Sequence, residues 1–82
     1  MDRETVRIKI VNIVRGQLDI GWEKIKPTSN LRTSLGADTL DVIEMVMDAE
    51  EIFGVDVELE ELKEVNTVSD LCDLICNKIG GT

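Results

Sequence analysis

The sequence predicts an all-α domain: a small four-helix bundle with a long loop between helices 1 and 2 and a short third helix. Three observations lead there. Apolar residues recur at i, i+3 and i+4 spacing in separate segments, and no segment alternates as a half-buried strand would. Residues suited to starting helices (Asp2, Asp38, Thr67) and to ending them (Gly16, Gly54, Gly80-Gly81) bracket those segments. The 82 residues are 43% hydrophobic, with Trp22 and Phe53 the only aromatics, so they can bury one modest aliphatic core.

The first helix is expected to follow Asp2 and to end at Gly16, with Val6, Ile10, Ile13 and Val14 on one stripe. Val11 and Leu18 broaden that stripe. A polar stretch follows, carrying Pro27 and the turn-like Thr28-Ser29-Asn30. A connection of about 20 residues must be functional or packed by its own side chains. Trp22, Ile25, Leu31 and Leu35 are spaced to pin it to the core. The second helix runs from about Thr39 to Phe53, with Asp38 as N-cap and Asp41 three residues on, an acidic analogue of the capping box. These carboxylates suit the positive end of the helix dipole, and Gly54 fits the C-cap. Leu59 to Glu64 has room for a turn or two. The last helix opens at Thr67, where Asp70 completes a Thr-x-x-Asp box, and buries Val68, Leu71, Cys72, Ile75 and Ile79. Gly80-Gly81 ends it. No repeat, low-complexity tract or composition shift divides the chain, so residues 1–82 read as a single domain.

Composition excludes several functions. With no histidine, Ser-His-Asp hydrolysis, histidine general-base catalysis and His-ligated zinc are ruled out. A net charge of −8 argues against nucleic-acid binding, which needs cations to neutralise phosphates. The charge is uneven: residues 1–32 hold seven basic and four acidic side chains, residues 33–82 two basic and thirteen acidic. No basic residue lies between Arg32 and Lys63, and such a one-sign surface steers association with a basic patch on a partner. Cys72 and Cys76, four apart on a helix, lack disulfide geometry and make a poor zinc site; they read as small buried hydrophobes in a reducing compartment. The N-terminus lacks a signal-peptide profile and no apolar run is long enough for a membrane span, so the expectation is a cytoplasmic protein. No loop has calcium-ligand spacing, and no base is paired with a nucleophile, so neither a metal site nor catalysis is expected.

The second helix has two apolar faces. Val42, Met45, Val46, Ala49 and Phe53 share one arc, an ordinary core stripe. Leu40, Ile43 and Met47 fall nearly opposite, flanked by Asp41, Glu44, Asp48 and Glu51. Burying those acids unpaired would be costly, so the second strip reads as a docking surface. The acids steer the encounter, Leu40 and Met47 contribute burial, and methionine suits a surface that fits several partners.

The run Leu35-Gly36-Ala37-Asp38-Thr39-Leu40-Asp41, leading into Val42-Ile43-Glu44-Met45-Val46-Met47 and ending at Phe53-Gly54, resembles the prosthetic-group attachment region of acyl carrier proteins. The resemblance extends from about Val6 to Ile79 and looks closer to carriers of dissociated fatty-acid-type systems than to peptidyl carriers. It implies a four-helix bundle, a 4'-phosphopantetheine arm installed by a phosphopantetheinyl transferase, and acyl chains held on the arm as thioesters. The implied partners are synthases, reductases and acyltransferases with basic patches, met by a monomer. By the same resemblance Asp38, Asp41, Glu44, Met47, Glu50 and Glu51 are recognition residues. Thr39 stands where the family has the serine that receives the arm. Its hydroxyl is secondary and its β-branch restricts rotamers. Three accounts are open: modification of the threonine, a paralogue keeping the docking face without the arm, or a threonine introduced to hold the protein unmodified. Ser34 lies five residues earlier, outside the motif, and reads as a loop hydroxyl. Ala49 replaces a leucine common in the family, which suggests an altered acyl cavity.

Overall fold

A helix begins where some group accepts the free N–H groups of its first turn. In the computed structural model, which describes residues 1–80, the Asp2 carboxylate accepts the Thr5 N–H at 2.8 Å and starts α1 (Arg3–Leu18). Helix α2 spans Thr39–Phe53, α3 Leu59–Leu62 and α4 Val68–Gly80, with one 3₁₀ turn at Trp22–Lys24. At α4 the expected box is present: Thr67 Oγ1 accepts the Asp70 N–H at 3.0 Å, and the Asp70 carboxylate accepts the Thr67 N–H at 2.9 Å. At α3 the Glu61 carboxylate accepts the Glu58 N–H at 2.9 Å and meets the Lys78 ammonium of α4 at 2.7 Å. Those two contacts, Lys78 foremost, hold Glu61 below the usual carboxylate range.

Two helix ends differ from expectation. Helix α1 passes through Gly16 and stops at Leu18, where Asp19 takes the left-handed conformation (φ 54°) and its N–H reaches the Arg15 carbonyl at 2.8 Å. Aspartate tolerates that region better than most residues. The added half-turn places Leu18 against the core. Gly80 is still helical, and Gly81 lies outside the described residues. Gly54 ends α2 as expected, at φ 67° with its N–H on the Glu50 carbonyl at 2.9 Å.

Helix α1 packs against both α2 and α4. Val6, Ile10 and Val14 of α1, Met45 and Ala49 of α2, and Leu71 and Ile75 of α4 are sealed from solvent. The loop is ordered by its own anchors. Ile25 and Leu31 are buried and Leu35 half-buried, but Trp22 is 67% exposed and does not pin it. After the 3₁₀ turn the chain becomes extended at Ile25 (φ −106°, ψ 105°), which turns that side chain inward and leaves the indole outside. Ala37 and Val65, absent from the expected core, complete it. Backbone bonds lace the loop to the start of α4: Leu31 N–H to the Asn66 carbonyl at 2.8 Å, Val68 N–H to Ser29 at 3.0 Å, and Ser69 N–H to Pro27 at 2.9 Å. Each such bond contributes about 1 kcal/mol net, enough together to order a long connection. Cys72 is buried, which pushes its thiol up to about 11, and Cys76 is half-buried; neither is in a disulfide.

Candidate functional site

The site is built by the last residues of the loop. The Asn30 side-chain oxygen accepts the N–H groups of Arg32 (2.9 Å) and Thr33 (3.0 Å), curling the chain toward α2. Gly36 sits at φ +80° in open space, so glycine is needed there for backbone conformation and not for want of room. Ala37 is buried, and its N–H reaches the Leu31 carbonyl at 2.8 Å, which fixes the position of the next residue. Asp38 then caps α2. Its carboxylate accepts the Asp41 N–H at 2.8 Å, and the Asp41 carboxylate accepts the Asp38 N–H at 3.1 Å.

Thr39 is therefore the first helical residue and is exposed. Because Asp38 performs the capping, the threonine hydroxyl is not needed for it. The free N–H groups and dipole of the first turn favour a negative group beside it. An exposed hydroxyl in that position suits attachment of a phosphate-linked arm.

The residues expected to dock partners fall into two groups. Leu40 and Met47 are 61% and 59% exposed, and Glu44, Asp48 and Glu51 are exposed around them. Ile43 is half-buried and turned toward α3, and Ile52, not among the expected residues, is exposed. Asp41 is half-buried. Its carboxylate is held below the usual range by the Asp38 N–H first and by the Gln17 side chain second. Gln17 Nε2 donates to Asp41 Oδ1 at 3.2 Å and to Glu44 Oε2 at 2.6 Å, joining the end of α1 to the start of α2. No sequence signal marks Gln17, since its partners lie 24 and 27 residues away. Glu50 stands apart from the strip: it is half-buried and its carboxylate accepts the Val57 N–H at 2.9 Å, holding the turn after α2.

A groove of about 200 Å³ opens beside Thr39 between α2 and α3. Val42, Ile43, Leu59 and Leu62 form its apolar lining, and Arg32 and Lys63 border it. Ala49 is not part of this groove; it is sealed in the core. Ser34 is exposed on the loop and lies away from the groove.

Residues 9–75 match the family model described as the phosphopantetheine attachment site. The acyl carrier protein of Syntrophobacter fumaroxidans is 41% identical over 75 residues, which span 92% of this chain and 93% of the relative. The chain belongs to the acyl carrier protein family. The acyl carrier protein of Thermosynechococcus vestitus is 38% identical over 96% of this chain and 98% of its own. The fold agrees: the crystal structure of the Thermotoga maritima acyl carrier protein superposes with a TM-score of 0.84 at 30% identity, covering 99% of this chain and 94% of that one. Acyl carrier proteins hold acyl chains for acyl-handling enzymes, and 4'-phosphopantetheine is their prosthetic group. Among the described residues no helix is long and apolar enough to cross a membrane.

Proposed function

We propose that this chain carries acyl groups as thioesters on a 4'-phosphopantetheine arm attached to Thr39 Oγ1 and presents them to partner enzymes through the outer face of α2. The observation that carries the reading is the exposed Thr39 hydroxyl at the first position of α2, with Asp38 as the cap beside it. When attached, the arm supplies the thiol that forms the thioester. In the attachment step the Thr39 oxygen bonds to the phosphorus nearest pantetheine in coenzyme A. The bond from that phosphorus to the nucleotide portion breaks, and the hydroxyl proton passes to a base of the transferase. Asp38 and the first turn of α2 orient the hydroxyl.

Leu40 and Met47 contribute the apolar contact with partners, with half-buried Ile43 at its groove-side edge, and Asp41, Glu44, Asp48 and Glu51 the charge that steers it. The partners are a phosphopantetheinyl transferase and synthases, reductases and acyltransferases with basic patches. Glu50 acts in the turn instead. The protein works in the cytoplasm as a monomeric single domain over residues 1–82 and performs no catalysis of its own.

A second reading is favoured by one specific feature, the methyl group and β-branch of Thr39 where the incoming phosphate must fit. In that reading the chain is an unmodified docking module with the same acidic face. Intact-protein mass after incubation with coenzyme A and a broad-specificity phosphopantetheinyl transferase separates the two. A gain of one phosphopantetheine in the unaltered chain, absent in Thr39→Ala, is the expected result. A gain only in Thr39→Ser would mean that the threonine keeps the scaffold unmodified, and a gain in neither would leave the docking module.

A further inference from the structure

Arg32 and Lys63 are the two cations that border the long stretch of sequence without a basic residue, and the fold brings both to the groove that Thr39 lines. The charged residues nearest Thr39 along the chain are acidic: Asp38 and Asp41 within two residues, then Glu44 five residues on. An anion placed on Thr39 is favoured by the first-turn N–H groups, meets repulsion from the carboxylates along α2, and finds cationic side chains on the groove side. Charges beyond about 8 Å are largely screened at physiological salt, so the nearest groups decide the balance.

Neither cation is held by a strong partner. Lys63 Nζ lies 3.4 Å from Glu60 Oε2 in an exposed pair, an arrangement that is weak in water. Arg32 Nη1 donates to the Val65 carbonyl at 3.5 Å, at the limit of a hydrogen bond and to an uncharged acceptor. Below them the lining is apolar, with Val42 buried and Leu59 left 72% exposed at the edge. At about 200 Å³ the groove is smaller than ordinary small-molecule pockets, which run from about 300 to 1,000 Å³, so it suits a short section of chain.

We propose that Arg32 and Lys63 hold the phosphodiester of an arm bonded to Thr39 Oγ1, and that Val42, Ile43, Leu59 and Leu62 receive the first uncharged atoms beyond it. The inference rests on Thr39 being the attachment position. It gives the arm a resting place against α2 and α3, one that salt weakens and that a partner enzyme must displace.

The test compares the arm-bearing protein with its Arg32→Gln/Lys63→Gln form by amide NMR, using Thr39→Ser in both if the threonine resists loading. Loading is expected to shift the Ile43 and Leu62 amides. That shift should fall by about half or more in the double variant or in ~1 M salt, where the screening length is about 3 Å. Equal shifts in both forms would overturn the proposal, as would shifts that arise only when the cargo itself bears a free carboxylate. If mass shows that neither Thr39 nor its serine variant accepts the arm, the attachment reading fails separately. Free 4'-phosphopantetheine and uncharged pantetheine are then titrated against the unmodified protein. A stronger Ile43 and Leu62 response to the phosphorylated compound, lost in the double variant, would uphold the anion site; an equal response to both would end it.

Discussion

Two threonines stand at helix starts in this chain and do different work. Thr67 is itself the cap of α4: its hydroxyl accepts the Asp70 N–H at 3.0 Å, and it is half-buried where the loop bridges to it at Asn30. Thr39 lies one position further into its helix, because Asp38 holds the cap of α2, and it is exposed at the mouth of a groove. The reciprocal carboxylates differ in the same sense. Asp70 accepts two backbone N–H groups, from Asn66 and Thr67, and serves the fold alone. Asp41 accepts the Asp38 N–H and also takes Gln17 from α1, at the border of the exposed acidic face. A hydroxyl at a helix start is available for chemistry only where a different side chain closes the first turn.

Exchanging the fates of the two threonines gives the largest expected effect. Thr39→Ala should abolish the mass gain from the transferase while moving stability by no more than about 0.5 kcal/mol in urea unfolding. Thr67→Ala should do the reverse, leaving loading intact and costing about 1 kcal/mol, or about 4–8 °C in Tm. Asp38→Ala blurs the distinction. It should cost about 1 kcal/mol and also slow loading, since the first turn that presents Thr39 loses its cap.

A similar separation is expected among the acids of α2. Glu44→Lys should weaken binding to a basic partner with little change in Tm, whereas Glu50→Ala should leave binding unchanged and cost about 1 kcal/mol through the Val57 turn. The two cap carboxylates give a smaller, pH-dependent effect. Both are held below the usual range, chiefly by the backbone N–H groups of Asp38 and Thr67. Their folded pKa values lie below the unfolded value of about 3.9, so the unfolded chain binds more protons there and stability rises with pH. Their contribution is complete above that value and is lost as pH falls through the depressed folded values. Asp41→Asn and Asp70→Asn should each flatten the acid side of a Tm-against-pH curve. Gln17→Ala is the mildest change, within about 0.5 kcal/mol, and should make the Asp41 depression smaller in a carboxyl NMR titration.

Much of this comparison was legible before any coordinates. Asp38 with Asp41, Thr67 with Asp70, and Gly54 as a terminator are interactions within one helical turn, and such spacings are written directly in the chain. The core stripes of α1, α2 and α4 follow from the same periodicity. Other features were misread or invisible. Gly16 is a weaker stop than the left-handed Asp19, because burial of Leu18 outweighs the propensity of a single glycine. Trp22 faces solvent because the turn that carries it leaves the inward place to Ile25. Glu50 resembles the docking acids in sequence and differs only in what lies beside it, the Val57 N–H.

The sequence by itself determined the helices, the N-terminal caps of α1, α2 and α4, the acidic outer face of α2 and the threonine at its start, since each depends on residues within about four positions of one another. Only the tertiary structure decided that Gln17 braces Asp41 and Glu44, that Ala49 is sealed away from the groove, and that Arg32 and Lys63 line the same groove as Thr39. These depend on how the loop and α3 pack against α2, and packing brings together side chains whose distance along the chain carries no local signal.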